Sequence, residues 1–269
     1  MKLSRIAAFS SSLLLAAALA LTGAGAAQAA VQAQPLDYVA LGDSYSSGVG
    51  AGNYDSGSGS CKRSTRAYPA LWAAANSPST FAFTACSGAR TGDVTANQLA
   101  PLGAATDLVS ISVGGNDAGF ADVMTTCVLQ SESACLNRIA TARGYVDTTL
   151  PGKLDSVYSA ISAKAPSARV VVLGYPRFYK LGGGCIAGLS EKERTAINGA
   201  SDYLNAATAK RAADHGYTFA SVTPAFTGHE ICSGSPWLHS LNLANIGESY
   251  HPKAAGQSGG YLPVFTAAA

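Results

Sequence analysis

The sequence predicts an α/β protein, a parallel sheet with helices packed over it. Three observations predict it. Short apolar, β-rich runs alternate with stretches of helical spacing. Three of those runs, after Leu41, Ala85 and Val113, break into glycine and small polar residues, as strands do on leaving the carboxyl edge of such a sheet. Val170–Leu173 is unbroken and β-branched, the composition of a strand buried on both faces.

Taken in order, residues 1–33 carry Lys2 and Arg5, then an apolar run from Leu13 to Leu21, then small residues. This is the pattern of a secretory signal peptide, and the run is too short to span a bilayer. No later apolar run is long enough to anchor the chain. Residues 34–269 are therefore expected as a single domain released outside the cell. Tyr38 to Leu41 reads as the first strand, followed by the turn Gly42-Asp43-Ser44 and a glycine-rich loop from Ser47 to Ser60. Ala67 to Asn76 suits a helix. Phe81 to Ala89 reads as a second strand ending in a small-residue turn, and Leu108 to Val113 as a third, leaving through Gly114-Gly115-Asn116-Asp117. Asn137 to Lys164 has helical periodicity, with Pro151 starting a second helix. The Val170–Leu173 strand comes next, then a loop to Cys185. Ser190 to His215 is a helix whose Ser190 and Glu193 form a capping box and whose Gly216 supplies the stop. Phe219 to Val222 reads as a fifth strand, and a last helix begins near Pro252.

Removing the signal takes Lys2 and Arg5 and leaves 16 basic and 16 acidic residues. A neutral chain has no long-range attraction for nucleic acid or anionic lipid, so no nucleic-acid partner is expected and any lipid contact rests on apolar surface. All six cysteines lie in the exported part. An oxidising destination favours three disulfides, and the absence of C-x-x-C argues against a zinc or redox pair. The preferred pairing runs in order, Cys61–Cys86, Cys127–Cys135 and Cys185–Cys232, which sets each bridge on a loop between neighbouring elements.

Ser44 follows a glycine that lets the chain turn sharply at the end of a buried strand. One reading makes it a helix N-cap; the other makes it a nucleophile, which needs a base and donors for an oxyanion. Among the four histidines, His215 closes a helix and His229 lies in a polar loop. His239 and His251 stand as alternatives for the base, with Pro252 fixing the chain after His251. The turns after the second and third strands offer a backbone amide at Gly88 and a side-chain amide at Asn116. Asp43 and Asp117 read as loop anchors.

Gly42-Asp43-Ser44, Ser87-Gly88-Ala89, Gly114-Gly115-Asn116-Asp117 and Tyr250-His251-Pro252 resemble, in order, the four sequence blocks of the SGNH hydrolases, the GDSL esterase and lipase family. The likeness is closest to the secreted GDSL lipases of Streptomyces and includes the six cysteines. The resemblance implies a three-layer α/β/α, flavodoxin-like fold on a five-stranded parallel sheet. It also implies Ser44 as nucleophile, His251 as base, and Gly88 and Asn116 completing an oxyanion hole with the Ser44 amide. Glu248 stands where the family has an aspartate; in the similar secreted enzymes a main-chain carbonyl orients the histidine instead, here that of Ser249. Cleavage of fatty-acyl esters such as triacylglycerols, and of phospholipids, is the implied activity, with no metal or organic cofactor, in a monomer. An acetyl esterase acting on carbohydrate and a non-catalytic binding module are the alternatives on the same scaffold. Phe178, Tyr179, Leu181 and Trp237 are candidates for lining an apolar cleft.

Overall fold

A computed structural model describes residues 36–182, 184–185 and 188–269; the expected signal segment, residues 1–33, lies outside them. Strands β1 (Asp37–Gly42), β2 (Thr80–Phe83), β3 (Leu108–Ser112), β4 (Arg169–Leu173) and β5 (Thr218–Ala220) run parallel in the order β2-β1-β3-β4-β5. Tyr38 on β1 sits opposite Phe81 on β2 and Leu108 on β3, and Val172 on β4 sits opposite Phe219 on β5. The three central strands are buried along almost their whole length, so β1 and β4 are largely apolar and the two serines of β3 lie inside the core. Of these, Ser110 is paired to the Tyr38 hydroxyl at 2.7 Å and Ser112 donates to the Asp43 carboxylate at 2.7 Å.

The helices lie over both faces. Tyr38 stacks on Phe265 of α10 (Leu262–Ala268) and meets Trp72 of α2 (Tyr68–Asn76) edge-on, so these two helices share one face. A second group consists of α3 (Thr91–Asn97), α5 (Glu132–Thr148), α6 (Leu150–Lys164) and α7 (Glu191–Asp214), with α6 in contact with the other three. Pro151 sits in the first turn of α6, where its missing N–H costs nothing. The Ser190–Glu193 capping box starts α7 as the sequence predicts.

Several boundaries differ from expectation. β2 ends at Phe83, because the next amides, of Thr84 and Ala85, both turn onto the Ala40 carbonyl and Cys86 onto that of Gly42. β5 ends at Ala220, and Val222 already precedes the short helix α8 (Thr223–Phe226). α5 begins earlier, at Glu132, because Ser131 caps it by accepting from the Ala134 amide. Residues Ser56–Cys61 form two short 3₁₀ pieces broken at Gly59, at the end of the expected loop. The last helix starts at Ala254 rather than Pro252, as α9 (Ala254–Gly256), and passes through a π turn, Gln257–Tyr261, before α10.

The cysteines pair in order, Cys61–Cys86, Cys127–Cys135 and Cys185–Cys232. The expectation that each bridge lies on a loop is corrected at one of them. Cys127 belongs to α4 (Phe120–Leu129) and Cys135 to α5, so that bridge ties two helices across their short connection.

From β1 the chain crosses to β2 at one edge, and from β2 it returns past β1 to β3 on the other side. A crevice opens where these directions diverge, at the carboxyl ends of β1 and β3, and in open α/β sheets ligands bind there.

Candidate active site

Gly42 ends β1 with φ +123°, and its peptide is held on both sides by one buried glutamine: Gly42 N–H donates to Gln98 Oε1 at 2.7 Å, and Gln98 Nε2 donates to the Gly42 carbonyl at 2.9 Å. The chain then turns into α1 (Ser44–Ser47), whose N-cap is Asp43, not Ser44. Asp43 accepts the Tyr45 amide at 3.0 Å, the Ser112 hydroxyl at 2.7 Å and the Tyr175 hydroxyl at 2.5 Å. Since Asp43 does the capping, the Ser44 hydroxyl is left for another partner. That partner is His251, whose Nε2 lies 2.7 Å from Ser44 Oγ.

The other imidazole nitrogen settles the ring's orientation. His251 Nδ1 lies 2.9 Å from the Ser249 carbonyl, so Nδ1–H donates there and Nε2 is left as the acceptor facing Ser44. Glu248, the alternative orienter, makes no hydrogen bond to the His251 ring and accepts the Tyr54 hydroxyl at 2.7 Å, while Tyr54 in turn receives the Gly50 amide. Burial presses the His251 pKa down to about 4, against the opposing hydrogen bond to Ser249. The ring is thus neutral and able to take a proton across the neutral pH range. Burial pushes the Asp43 carboxyl the other way, up to about 6, although Tyr175, Ser112 and the Tyr45 amide all favour its ionised form.

Ser44, Gly88, Asn116 and His251 line one cavity of about 480 Å³. The Ser44 and Gly88 amides form no hydrogen bond among the described residues. Asn116 Nδ2 donates one of its hydrogens to the Ala89 carbonyl at 3.0 Å, which fixes the amide and leaves its second N–H free. Asp117 anchors the same turn by accepting the Thr91 amide and hydroxyl. Phe178, Val123, Met124, Val128 and Ile197 give the cavity an apolar wall. The other aromatic and leucine candidates do not line it: Trp237 stacks on His229, Tyr179 is buried, and Leu181 is exposed.

His239, the rival base, directs Nε2 to the Gly50 carbonyl at 2.8 Å. His215 pairs with Asp155, and His229 Nδ1 faces the Ser235 carbonyl. Sequence reasoning passed over four residues that build the site. Gln98 clamps Gly42 and Tyr175 holds Asp43. The Tyr45 hydroxyl donates to the Tyr250 carbonyl at 2.7 Å, and Gln257 Nε2 donates to the Tyr45 carbonyl at 3.0 Å. The last two tie the serine segment to the histidine segment across more than 200 residues of chain. No local pattern marks them, because each partner is distant in sequence. Among the described residues, no group of three or more His, Cys, Asp or Glu side chains is placed to hold a metal ion.

Residues 40–258 match the GDSL-like Lipase/Acylhydrolase family. Lipase 1 of Streptomyces coelicolor is 74% identical over 265 residues, covering 98% of each chain. The crystal structure of the extracellular lipase from Streptomyces rimosus, 69% identical, superposes with a TM-score of 0.85 over 87% of this chain and 100% of that one. The phospholipase A1 from Streptomyces albidoflavus, 68% identical, does so with a TM-score of 0.86 over the same shares.

Proposed function

The chain belongs to the GDSL-like lipase/acylhydrolase family, and from that premise we propose that it cleaves fatty-acyl esters with Ser44 as nucleophile and His251 as general base. It is an extracellular serine ester hydrolase of lipase type. A single contact carries the assignment of roles, the 2.7 Å approach of His251 Nε2 to Ser44 Oγ at the wall of an apolar cavity.

In acylation, Ser44 Oγ attacks the carbonyl carbon while its proton passes to His251 Nε2. The imidazolium is stabilised by the Ser249 carbonyl through Nδ1–H, making a dyad in which no carboxylate takes part. The carbonyl oxygen becomes an oxyanion held by the Ser44 and Gly88 amides and the free N–H of Asn116. As the intermediate collapses, the C–O bond to the alcohol breaks and His251 gives that alcohol its proton. Water then attacks the acyl-serine, His251 takes the water's proton, and collapse returns it to Ser44 Oγ with release of the fatty acid. Triacylglycerols and phospholipids both present such a carbonyl, and the phospholipase A1 from Streptomyces albidoflavus supports the second. We take the enzyme to be a monomer with no nucleic-acid partner, the latter in keeping with the equal numbers of acidic and basic residues after the expected signal.

The test uses a fluorophosphonate that reacts only with an activated serine, alongside dissolved p-nitrophenyl octanoate and acetate. The expected result is one label on Ser44, absent in Ser44→Ala, with hydrolysis of the octanoyl ester. An unlabelled protein would be a binding module. Hydrolysis of acetate alone would make the carbohydrate acetyl esterase the better account.

A further inference from the structure

The described chain leaves five large apolar side chains open to solvent: Leu129, Leu181, Leu241, Leu243 and Ile246. All but Leu181 line the cavity that holds Ser44. Leu129, 75% exposed, ends α4 on one side; Leu243 and Ile246, 83% and 64% exposed, stand on the segment 240–247. That segment, Ser-Leu-Asn-Leu-Ala-Asn-Ile-Gly, has no charged residue. Scattered exposed leucines need no explanation, but a cluster around one opening does.

We propose that Leu129, Leu241, Leu243 and Ile246 form a rim that inserts into a lipid–water interface and seats the cavity over it. This rests on the ester-hydrolase reading above and adds to it how the substrate is reached. Two observations single out a lipid surface as the occupant. The rim continues into the apolar wall at Met124 and Val128, so an acyl chain leaving the lipid phase passes from rim to cavity without crossing water. The uncharged segment and the balance of 16 basic and 16 acidic residues leave apolar insertion, not charge attraction, as the means of adsorption.

The experiment measures sedimentation of the full secreted chain, carrying Ser44→Ala to stop turnover, with vesicles of phosphatidylcholine alone or mixed with phosphatidylglycerol. The parent is expected to bind both vesicles equally well within about threefold. Leu243→Ser combined with Ile246→Ser is expected to lower the partition coefficient at least about tenfold, since each removed side chain gives up most of its transfer free energy. Leu181→Ser, exposed but away from the cavity, is the control and leaves partition unchanged. Leu243→Trp supplies a second readout that does not depend on loss of binding: its added fluorescence shifts to the blue when vesicles are added. The proposal is overturned if the double variant binds like the parent or the Leu181 control falls equally. It is also overturned if binding requires the anionic lipid, if the tryptophan emission does not move, or if ultracentrifugation shows the rim buried in a dimer. Hydrolysis of dissolved octanoyl ester by the unsubstituted protein reads the catalytic assignment separately, so either can fail without the other.

Discussion

His251 touches two oxygens through its ring, Ser44 Oγ and the Ser249 carbonyl, and that pair already specifies its tautomer. A carboxylate is not needed to choose it. Glu248 has its own partner in Tyr54, and a glutamine there keeps an oxygen able to accept the same hydroxyl. Glu248→Gln should therefore hold kcat on a dissolved ester within about threefold. A loss of two or more orders of magnitude with the fold intact would mean that the carboxylate stabilises the imidazolium after all. Asn116 is expected to behave differently, because its free N–H is the side-chain donor proposed for the oxyanion. Asn116→Ala should lower kcat by about 100- to 1000-fold, the cost typical of deleting one such donor. A fall of less than threefold would remove it from the mechanism.

At the scale of elements, two glycines that look alike in sequence have different jobs. Gly42 and Gly88 both end apolar runs and both have positive φ, +123° and +79°. A Cβ on Gly42 would lie 2.5 Å from the Ser112 carbonyl oxygen and 2.8 Å from its nitrogen, both backbone of the neighbouring strand β3. A Cβ on Gly88 meets nothing within 4 Å. Gly88→Ala therefore bears only the backbone penalty, about 1 kcal/mol. Gly42→Ala adds a clash that only parting β1 from β3 can relieve, for a total of about 3 kcal/mol or more. Urea unfolding of both variants checks this, and equal costs would contradict it. The contrast shows what the sequence makes legible. The strands, the turns after β1 and β3 and the α7 capping box could be read because each is a local pattern of apolar runs and punctuating residues. The early end of β2 could not, because it is decided by where the Ala40 and Gly42 carbonyls lie on the adjacent strand. The partner of the Glu248 carboxylate could not be read either, because Tyr54 lies almost 200 residues away.

Over the whole molecule, one site holds two groups whose titrations burial drives in opposite directions. Asp43, raised from 3.8 to about 6, binds its proton more tightly in the folded chain. Its contribution to stability is present in full below pH 3.8 and is lost as pH rises through 6. His251, lowered from 6.5 to about 4, binds its proton more weakly in the folded chain. Its contribution is full above pH 6.5 and is lost as pH falls through 4. Between pH 4 and 6 the two slopes have opposite signs and similar size, each about 1.4 kcal/mol per pH unit, so they largely cancel. Single substitutions should expose them. Asp43→Asn is expected to gain stability relative to the parent as pH rises from 4 to 6, and His251→Ala to gain relative to the parent as pH falls from 6.5 to 4. The gain should be about 2 kcal/mol for Asp43→Asn and about 2.5 kcal/mol for His251→Ala, somewhat less than the full shifts because each window ends where a group is half titrated. Using the parent at each pH as reference removes the slope contributed by the surface carboxylates, which all three proteins share. Urea midpoints measured at half-unit steps decide it: a difference from the parent that stays constant across that window would mean that the site is wetter than its burial implies, and that neither group is held away from its ordinary titration.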